Sequence, residues 1–240
     1  MSTKIELISP VIGRSTLSVG FKKLRETPGT SLPASPQVRK PTSLKEFRRS
    51  EILDAATRVF GDKGYDETRM DDVAAAAALS KATVYAYFDS KDEIFVAAVE
   101  RCLQEITNLT TPRVEAAADF PAKLNAFLIT RLTYWGDRLA LYRVIVTLKR
   151  ESHNLKRSLR WQRPTIYFLM VLFQHAMQAG DIPEQPFEPS AWALMDMIRG
   201  LLERRMAHPN SSIEQEAAEL TAFMLRALDY KRPGTNSTAP

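Results

Sequence analysis

The segment between residues 80 and 91 carries hydrogen-bonding side chains of the kind that contact DNA. It supplies a cation, a hydroxyl and two phenols: Lys81, Thr83, Tyr85 and Tyr87. These groups can donate to phosphate oxygens and to base edges, and the small Ala82 and Ala86 between them permit close approach. For an isolated pair of tyrosines, packing in a protein core is the simpler interpretation, so the elements that hold the segment decide its meaning.

Four helices are predicted around this segment from the helix-start signals in the sequence. Ser43 with Glu46, and Ser90 with Glu93, have the spacing of capping boxes. Thr68 stands directly before another apolar-periodic run and is interpreted as a third helix start. The predicted helices span residues 44–62, 69–77, 81–87 and 91–109.

The second and third of these helices have the length and spacing of a helix-turn-helix. The third is too short to be stable alone in water, so Val84 and Phe88 are expected to anchor it to the core. A short helix linked by a tight turn to a second short helix is the helix-turn-helix pattern, and the second helix can lie in a DNA major groove. Gly61 and Gly64 are expected to end the first helix.

The sequence of these helices resembles the DNA-binding signature of the tetracycline-repressor (TetR) family. The resemblance is carried by residues 68–88, Thr-Arg-Met-Asp-Asp-Val-Ala-Ala-Ala-Ala-Ala-Leu-Ser-Lys-Ala-Thr-Val-Tyr-Ala-Tyr-Phe, followed at 89–95 by Asp-Ser-Lys-Asp-Glu-Ile-Phe. Residues 52–60, Ile-Leu-Asp-Ala-Ala-Thr-Arg-Val-Phe, with Gly64 and Tyr65, match that family's first helix. The resemblance implies a homodimer that binds a palindromic operator in double-stranded DNA and responds to a small-molecule effector.

Carried over position by position, the resemblance also implies which residues meet DNA. With the basic residues near the start of the first helix, the predicted DNA-binding residues are Arg48, Arg49, Thr68, Arg69, Ser80, Lys81, Ala82, Thr83, Tyr85, Ala86, Tyr87 and Lys91. Phosphate contacts are implied for Thr83, Tyr85, Tyr87 and Lys91, and base-edge contacts for Lys81, Ala82 and Ala86. Where the family usually has Gly, this chain has Ala78, which at positive φ in the turn would cost about 1–2 kcal/mol.

Charge is distributed unevenly along the chain. Residues 1–40 carry seven Lys or Arg and two Asp or Glu, whereas residues 51–100 carry five basic and eleven acidic side chains. Residues 1–42 are interpreted as a flexible basic arm, which is either a solvated tail or an addition to the DNA contacts. Residues 43–90 are assigned to the DNA-binding domain, 91–232 to an effector-binding and dimerisation domain, and 233–240 to a disordered tail.

The larger domain is rich in amphipathic rings. Such rings can wall a ligand cavity or simply fill a core, and the family resemblance favours the cavity. The predicted effector pocket consists of Trp135, Tyr142, Trp161, Tyr167 and Phe168. The segment 141–150, a helix interrupted at Pro164 and an ending at Gly180 resemble the AefR-like subgroup of C-terminal domains.

The last two helices are apolar over wide arcs, which a terminal surface hairpin should not be. They either cap the core of one protomer or form a four-helix bundle between two protomers. TetR-like proteins usually dimerise in the second way. The predicted interface residues are Ile198, Leu202, Leu220, Met224 and Leu228.

Composition excludes several protein classes. With one cysteine in 240 residues, the chain has no internal disulfide framework and no cysteine-based zinc site. The cysteine count favours a reducing, cytoplasmic compartment, and a buried apolar role for Cys102 is favoured over redox sensing. The sequence contains no stretch of 18 apolar residues, so it predicts no membrane-spanning segment. Three widely separated histidines and the absence of nucleotide-binding or hydrolase motifs predict no enzyme, no metal and no cofactor.

These observations predict an all-α protein of about nine helices, in which a three-helix DNA-binding unit precedes a larger helical domain. The predicted function is a dimeric transcriptional repressor that a small hydrophobic or aromatic ligand releases from DNA. Two alternatives stay open: a DNA-binding protein without an effector, acting in nucleoid organisation or activation, and a helical enzyme with an appended helix-turn-helix. Effector-induced release from DNA would separate the first of these from the repressor.

Overall fold

The computed structural model describes residues 43–149, 152–208 and 211–231, and over these residues the chain is all-α, as predicted. In chain order, the helices in this part of the chain are α1 (Leu44–Lys63), α2 (Met70–Ala76), α3 (Lys81–Tyr85), α4 (Lys91–Glu115), α5 (Phe120–Gly136), α6 (Leu139–Lys149), α7 (Ser152–Gln178), α8 (Phe187–Ala207) and α9 (Ile213–Ala227). The predicted arm, 1–42, and the predicted tail, 233–240, lie outside the described residues. None of the described helices is long and apolar enough to cross a bilayer.

Side-chain caps set most of the helix starts. The backbone N–H of Glu46 donates to Ser43 Oγ at 3.2 Å, and that of Glu93 donates to Ser90 Oγ at 3.2 Å, so both predicted starts are confirmed. The start predicted at Thr68 is wrong by one residue. The N-cap of α2 is Arg69, and Thr68 instead lies buried with its hydroxyl donating to the Gly64 carbonyl at 2.5 Å.

The C-terminal end of α1 corrects the interpretation of its two glycines. The helix continues through Gly61 and ends at Gly64, which has a φ of 83°. Gly61 is small for a packing reason: a Cβ at this position would lie 3.4 Å from the backbone nitrogen of Leu141 and 3.5 Å from the Cβ of Ala140. Helices α1 and α6 therefore touch almost backbone to backbone at Gly61.

The turn between α2 and α3 places Ala78 at a positive φ, the conformation that is costly for alanine. Ala78 has a φ of 54°, and the N–H of Leu79 donates to the Ala74 carbonyl at 3.0 Å, which closes the end of α2. Helix α3 has five residues and ends two residues before the predicted 87. Val84 and Phe88 are both buried, as expected for the anchors of so short a helix.

Helix α4 joins the first three helices to the larger helical region that follows. Ile94 and Phe95 in its first turns pack into the core under α1, while Ile106 and Val114 further along pack into the larger domain. It extends to Glu115, beyond the predicted 109, and contains Pro112. Because one continuous helix packs against both parts of this core, a displacement of its middle should also move the first three helices.

Pro164 lies within α7, whereas Gly180 lies just after the end of this helix. Helix α7 continues through Pro164, so the interruption expected at this proline does not end the helix. Gly180 has a φ of 81°, and its N–H donates to the Met177 carbonyl, so the predicted stop is confirmed. Helix α9 begins after Ser212, whose Oγ accepts from the N–H of Gln215 at 3.2 Å.

The residues predicted at a dimer interface lie inside the protomer, which corrects that prediction. Ile198, Leu202, Leu220, Met224 and Leu228 are each at most 8% exposed. Helix α9 packs along α5, and α8 packs on α5 and α7. The wide apolar arcs of the last two helices are therefore filled within one chain, and an interface formed by these two helices would have to use their outward faces.

Candidate DNA-binding surface and ligand cavity

The exposed face of α3 presents small and polar side chains around its first turn. Ser80 caps the helix by accepting from the backbone N–H of Thr83 at 3.1 Å, and the two hydroxyls lie 2.8 Å apart. Lys81 and Ala82 are exposed, and Tyr85 is 44% exposed. The Tyr85 side chain on this five-residue helix is therefore accessible to a phosphate or a base edge.

Lys81 is paired with a carboxylate of the same helix-turn-helix. Its Nζ lies 2.8 Å from an oxygen of Asp71 in the first turn of α2. The hydrogen bond that Lys81 donates to the Asp71 carboxylate raises the pKa of Lys81, so the ammonium is charged at neutral pH. Both side chains are more than half exposed, so this ion pair is weak and can be exchanged for a phosphate.

Lys91 is not a free phosphate-binding group. Its Nζ donates to the carbonyls of Tyr65 at 2.8 Å and Asp66 at 3.1 Å, and it lies 4.5 Å from the centre of the Tyr65 ring. Two of its three donors are thus used to hold the start of α4 against the loop that follows α1. Tyr87 is half-buried beyond the end of α3.

The other predicted DNA-binding residues divide between surface and interior. Arg48 forms an ion pair with Glu51 at 2.8 Å, and the guanidinium of Arg49 lies 4.7 Å from the centre of the Phe88 ring. The side chain of Arg69 is exposed. Thr68 is 1% exposed, so it cannot offer its side chain to DNA, and its inclusion among the contacts is corrected.

A cavity lies in the larger domain between α4, α5, α6, α7 and α8. It encloses about 80 Å³ and is partly open to solvent. This volume is below the usual range of small-molecule sites, so a ligand must displace the walls of the cavity to enter it. Three of the five predicted pocket residues line it: Trp135, Tyr142 and Trp161. The rest of the lining is Val99, Leu103, Arg131, Ile145, Val146, Gln162, Thr165, Met195, Asp196 and Arg199.

The other two predicted pocket residues do not line this cavity. Phe168 is buried, and its ring stacks on Phe127 with centroids 5.8 Å apart, so it belongs to the core. Tyr167 is half-buried against the same core. Sequence reasoning could not separate these rings from the pocket rings, because both kinds recur on the same helices with the same apolar periodicity.

Arg131 is the cavity residue that the sequence analysis missed. It lies on α5, four residues after Phe127 and four before Trp135, so one charge interrupts a stripe of large apolar side chains. Its side chain is buried. An ionised side chain in the middle of an apolar stripe was the available signal, since such a group is almost never buried without a purpose.

A chain of aromatic contacts leads from the cavity to the DNA-binding unit. The Trp161 ring in the cavity wall lies 6.4 Å from that of Phe95 on α4, edge to face. Phe95 in turn makes edge-to-face contacts with Phe60 and with Tyr65, each at 5.1 Å. The Tyr65 ring and carbonyl hold Lys91 at the start of α4.

Cys102 has the surroundings of a structural thiol. It is buried on α4, and desolvation raises the pKa of its thiol. Because the thiolate is the reactive form, these surroundings favour the buried apolar role over redox sensing.

Comparison with known proteins places the similarity mainly in the first helices. Residues 52–98 match the family model described as bacterial regulatory proteins, tetR family. The biofilm operon icaADBC HTH-type negative transcriptional regulator IcaR of Staphylococcus aureus is 38% identical over 61 residues, which are 25% of this chain and 33% of that protein. The chain thus spans about a third of the length of the curated relatives that it matches.

Solved structures extend the similarity to most of the fold. A TetR-like transcriptional regulator from Rhodococcus sp. RHA1 is 25% identical, with a TM-score of 0.62 over 80% of this chain and 100% of the other. The transcriptional regulator FadR from Bacillus subtilis, solved in complex with stearoyl-CoA, is 16% identical, with a TM-score of 0.68 over 73% of this chain and 97% of the other. At that identity the second likeness concerns the fold alone.

Proposed function

We propose that this chain, a member of the TetR family by its residues 52–98, is a DNA-binding transcriptional regulator of the repressor type that a small ligand releases from its operator. The observation that carries the proposal is α3, a five-residue helix held by Val84 and Phe88 with Lys81 and Tyr85 on its exposed face. Since its target is chromosomal DNA, the protein acts in the cytoplasm. The cavity between α4 and α8 holds the effector.

In this proposal α3 lies in the major groove. Ala82 and Ala86 permit close approach to base edges, Lys81 exchanges Asp71 for DNA, and the Tyr85 hydroxyl donates to a phosphate. Arg49 and Arg69, on neighbouring elements, add phosphate contacts. The palindromic operator follows from two such helices related by a two-fold axis.

Replacing Lys81 by alanine should weaken binding to the operator by about 1–3 kcal/mol. Replacing Tyr85 by phenylalanine removes one hydrogen bond and should cost about 1 kcal/mol. The operator is first located by footprinting on DNA flanking the protein's own gene, and fluorescence anisotropy then gives each affinity.

The matched control is Lys123→Ala, which makes the same charge change on α5, away from α3. It should leave operator affinity unchanged. Wild-type affinity in a Lys81→Ala, Tyr85→Ala double variant with normal helicity would remove α3 from the DNA interface.

The dimer is proposed to form through the outward faces of α8 and α9. Both helices pack on α5 with their inner faces, while Met206 on α8 and Phe223 on α9 are partly exposed large hydrophobic side chains. Gly200 faces open space, with nothing within 4 Å of the position of a Cβ. Small and apolar groups on the outside of two consecutive helices, both packed on α5, suit a four-helix bundle with a second copy.

Ligand release is proposed to act through α4. Val99 and Leu103 on this helix line the cavity, and a ligand that fills the cavity pushes on them and on Trp161. The displacement reaches α1 through Phe95 and changes the distance between the two α3 helices of a dimer. That distance must match successive major grooves, about 34–36 Å apart. The stearoyl-CoA complex of FadR supports a ligand in this fold.

Replacing Phe95 by leucine should reduce the effect of ligand on operator affinity while leaving both sites in place. Leucine keeps most of the apolar volume, so stability should fall by only about 1–1.5 kcal/mol, but the edge-to-face contacts with Trp161, Phe60 and Tyr65 are lost. The measurement is the ratio of operator dissociation constants with and without a releasing ligand. Such ratios are typically about 5–150, and the variant's ratio should approach one.

Phe173→Leu is the matched control, because Phe173 is an equally buried ring that contacts Phe120 and Phe187 rather than the aromatic chain. An equal loss of the ratio in both variants would show that general loosening, not the route through Phe95, carries the effect.

A further inference from the structure

Arg131 is a buried cation whose own protein leaves it largely unpaired. Its side chain is 4% exposed, and a guanidinium has five N–H donors. Nη2 donates to Thr165 Oγ1 at 2.9 Å, Nε is buried with no partner, and the group lies 4.8 Å from the centre of the Phe127 ring. Among the described residues, no carboxylate lies within ion-pair distance of it.

Arg205 shows how the same protein neutralises a buried guanidinium that serves structure. It is similarly buried, and its Nη1 donates to Glu216 Oε2 at 2.9 Å and to the Ser211 carbonyl at 2.7 Å. Arg131 has one neutral hydroxyl in place of this carboxylate. The contrast between the two arginines indicates that no described residue supplies the counter-charge of Arg131, which leaves the guanidinium available to an anion in the cavity.

The charge of Arg131 persists despite its burial. Desolvation lowers the pKa of Arg131 to about 10, which leaves the guanidinium protonated at pH 7. Asp196 also lines the cavity, but it is paired with Arg199 at 3.1 Å. An unpaired buried charge is strongly unfavourable, so an anion bound beside Arg131 would be attracted to it, and this attraction offsets the anion's own desolvation.

The other polar groups of the cavity wall add donors. Trp161 Nε1 is buried without a partner, and an indole N–H can only donate. Burial raises the pKa of Tyr142, so its hydroxyl stays protonated and can donate. The remaining wall is apolar: Val99, Leu103, Trp135, Ile145 and Met195.

We propose that the effector is an organic acid, with a carboxylate bound by Arg131 and an aliphatic or aromatic body packed against Trp135, Ile145 and Met195. This inference rests on the proposed function and names the chemical class of its ligand. A carboxylate fits because it is planar, matches the guanidinium fork and carries the single charge that one cation balances. A phosphorylated ligand such as an acyl-coenzyme A carries several charges, and its binding is an outcome of the test.

The test compares acids with neutral analogues of the same shape. Trp135 and Trp161 line the cavity and only one further tryptophan, Trp192, is in the chain, so tryptophan fluorescence of full-length Trp192→Phe protein reports binding. The probes are decanoate against 1-decanol, 2-naphthoate against 2-naphthylmethanol, and stearoyl-CoA. At least one acid should bind about tenfold or more tightly than its alcohol, as expected for a charge-assisted pair in a buried site.

Arg131→Met should abolish the preference for the acid, because it keeps the side-chain length and removes the charge. Arg131→Lys should retain part of it, since an ammonium keeps the charge but not the planar fork. Arg58→Met is the control: it makes the same change at an exposed arginine of α1 that does not line the cavity, and it should leave the preference intact. The melting temperature of the ligand-free Arg131→Met protein should stay equal or rise, because an unpaired buried charge is gone.

Three results would overturn the inference: no acid binding at millimolar concentration, an acid preference that survives Arg131→Met, or a lower melting temperature of that variant, which would mark Arg131 as structural. Operator binding separates this inference from the proposed function. Arg131-dependent acid binding without operator release would uphold the ligand class and reject the switch. Operator release by stearoyl-CoA alone, without acid binding, would do the reverse.

Discussion

Replacing Glu216 by alanine should lower the free energy of unfolding by about 3–5 kcal/mol, the cost of leaving a buried partner charge unpaired. Glu216 is 6% exposed and accepts from Arg205 at 2.9 Å, where the end of α8 meets the first turn of α9. In the variant, the Arg205 guanidinium keeps only Ser211 as a hydrogen-bond partner. Urea denaturation followed by circular dichroism gives the change.

The double variant Arg205→Leu, Glu216→Leu is the control. It removes both charges together, so it should be close to the wild type in stability or above it. If Glu216→Ala cost less than about 1 kcal/mol, the pair would behave as an exposed salt bridge, and the junction of α8 and α9 would not depend on it.

Replacing Phe223 by glutamate should convert the dimer to monomers and reduce operator affinity by about 10²–10⁴-fold, because the two half-sites are then bound independently. Phe223 is 48% exposed in the protomer, so the change should barely affect the stability of the protomer itself. In the proposed interface, the new carboxylate would be buried against a second copy. Sedimentation gives the oligomeric state, and anisotropy with the operator gives the affinity.

Leu109→Glu is matched to this variant, since Leu109 is also a large apolar residue at 42% exposure, but on α4. It should remain dimeric. Gly200→Trp offers a second route, because its side chain meets open space in the protomer and would collide with a partner helix. Dimers of normal affinity in both Phe223→Glu and Gly200→Trp would place the interface elsewhere.

Local signals predicted the first helices of the chain well. Ser43 and Ser90 fixed two helix starts through hydrogen bonds that span three residues, and the apolar positions Val84 and Phe88 identified how α3 is held. Thr68 shows the limit of such reasoning. A threonine before a helix can act as an N-cap, but here its hydroxyl donates to the Gly64 carbonyl. Which of the two hydrogen bonds forms depends on the backbone conformation of the loop, which the sequence alone does not specify.

Tertiary contacts explain what the sequence could not predict. The arcs that carry Leu202 and Leu220 are apolar whether α5 or a second chain covers them, so periodicity cannot separate core from interface. Glycine is the residue type that often ends a helix, but α1 continues through Gly61, which lies in close contact with α6. In the cavity, counting aromatic rings found Trp135 and Trp161 but passed over Arg131, the one buried charge in their midst.

The pairing of Lys81 with Asp71 changes how the protein's affinity for DNA should respond to ionic strength. A cation that binds a phosphate normally releases nearly one condensed counterion from the duplex. Lys81 already has an intramolecular counterion in Asp71 at 2.8 Å, and the carboxylate left behind beside the duplex retains a cation from solution. The exchange therefore adds little to the net ion release. The DNA affinity of such a surface should depend less on ionic strength than its number of basic residues suggests. The surface should also discriminate against sites where DNA cannot displace the carboxylate.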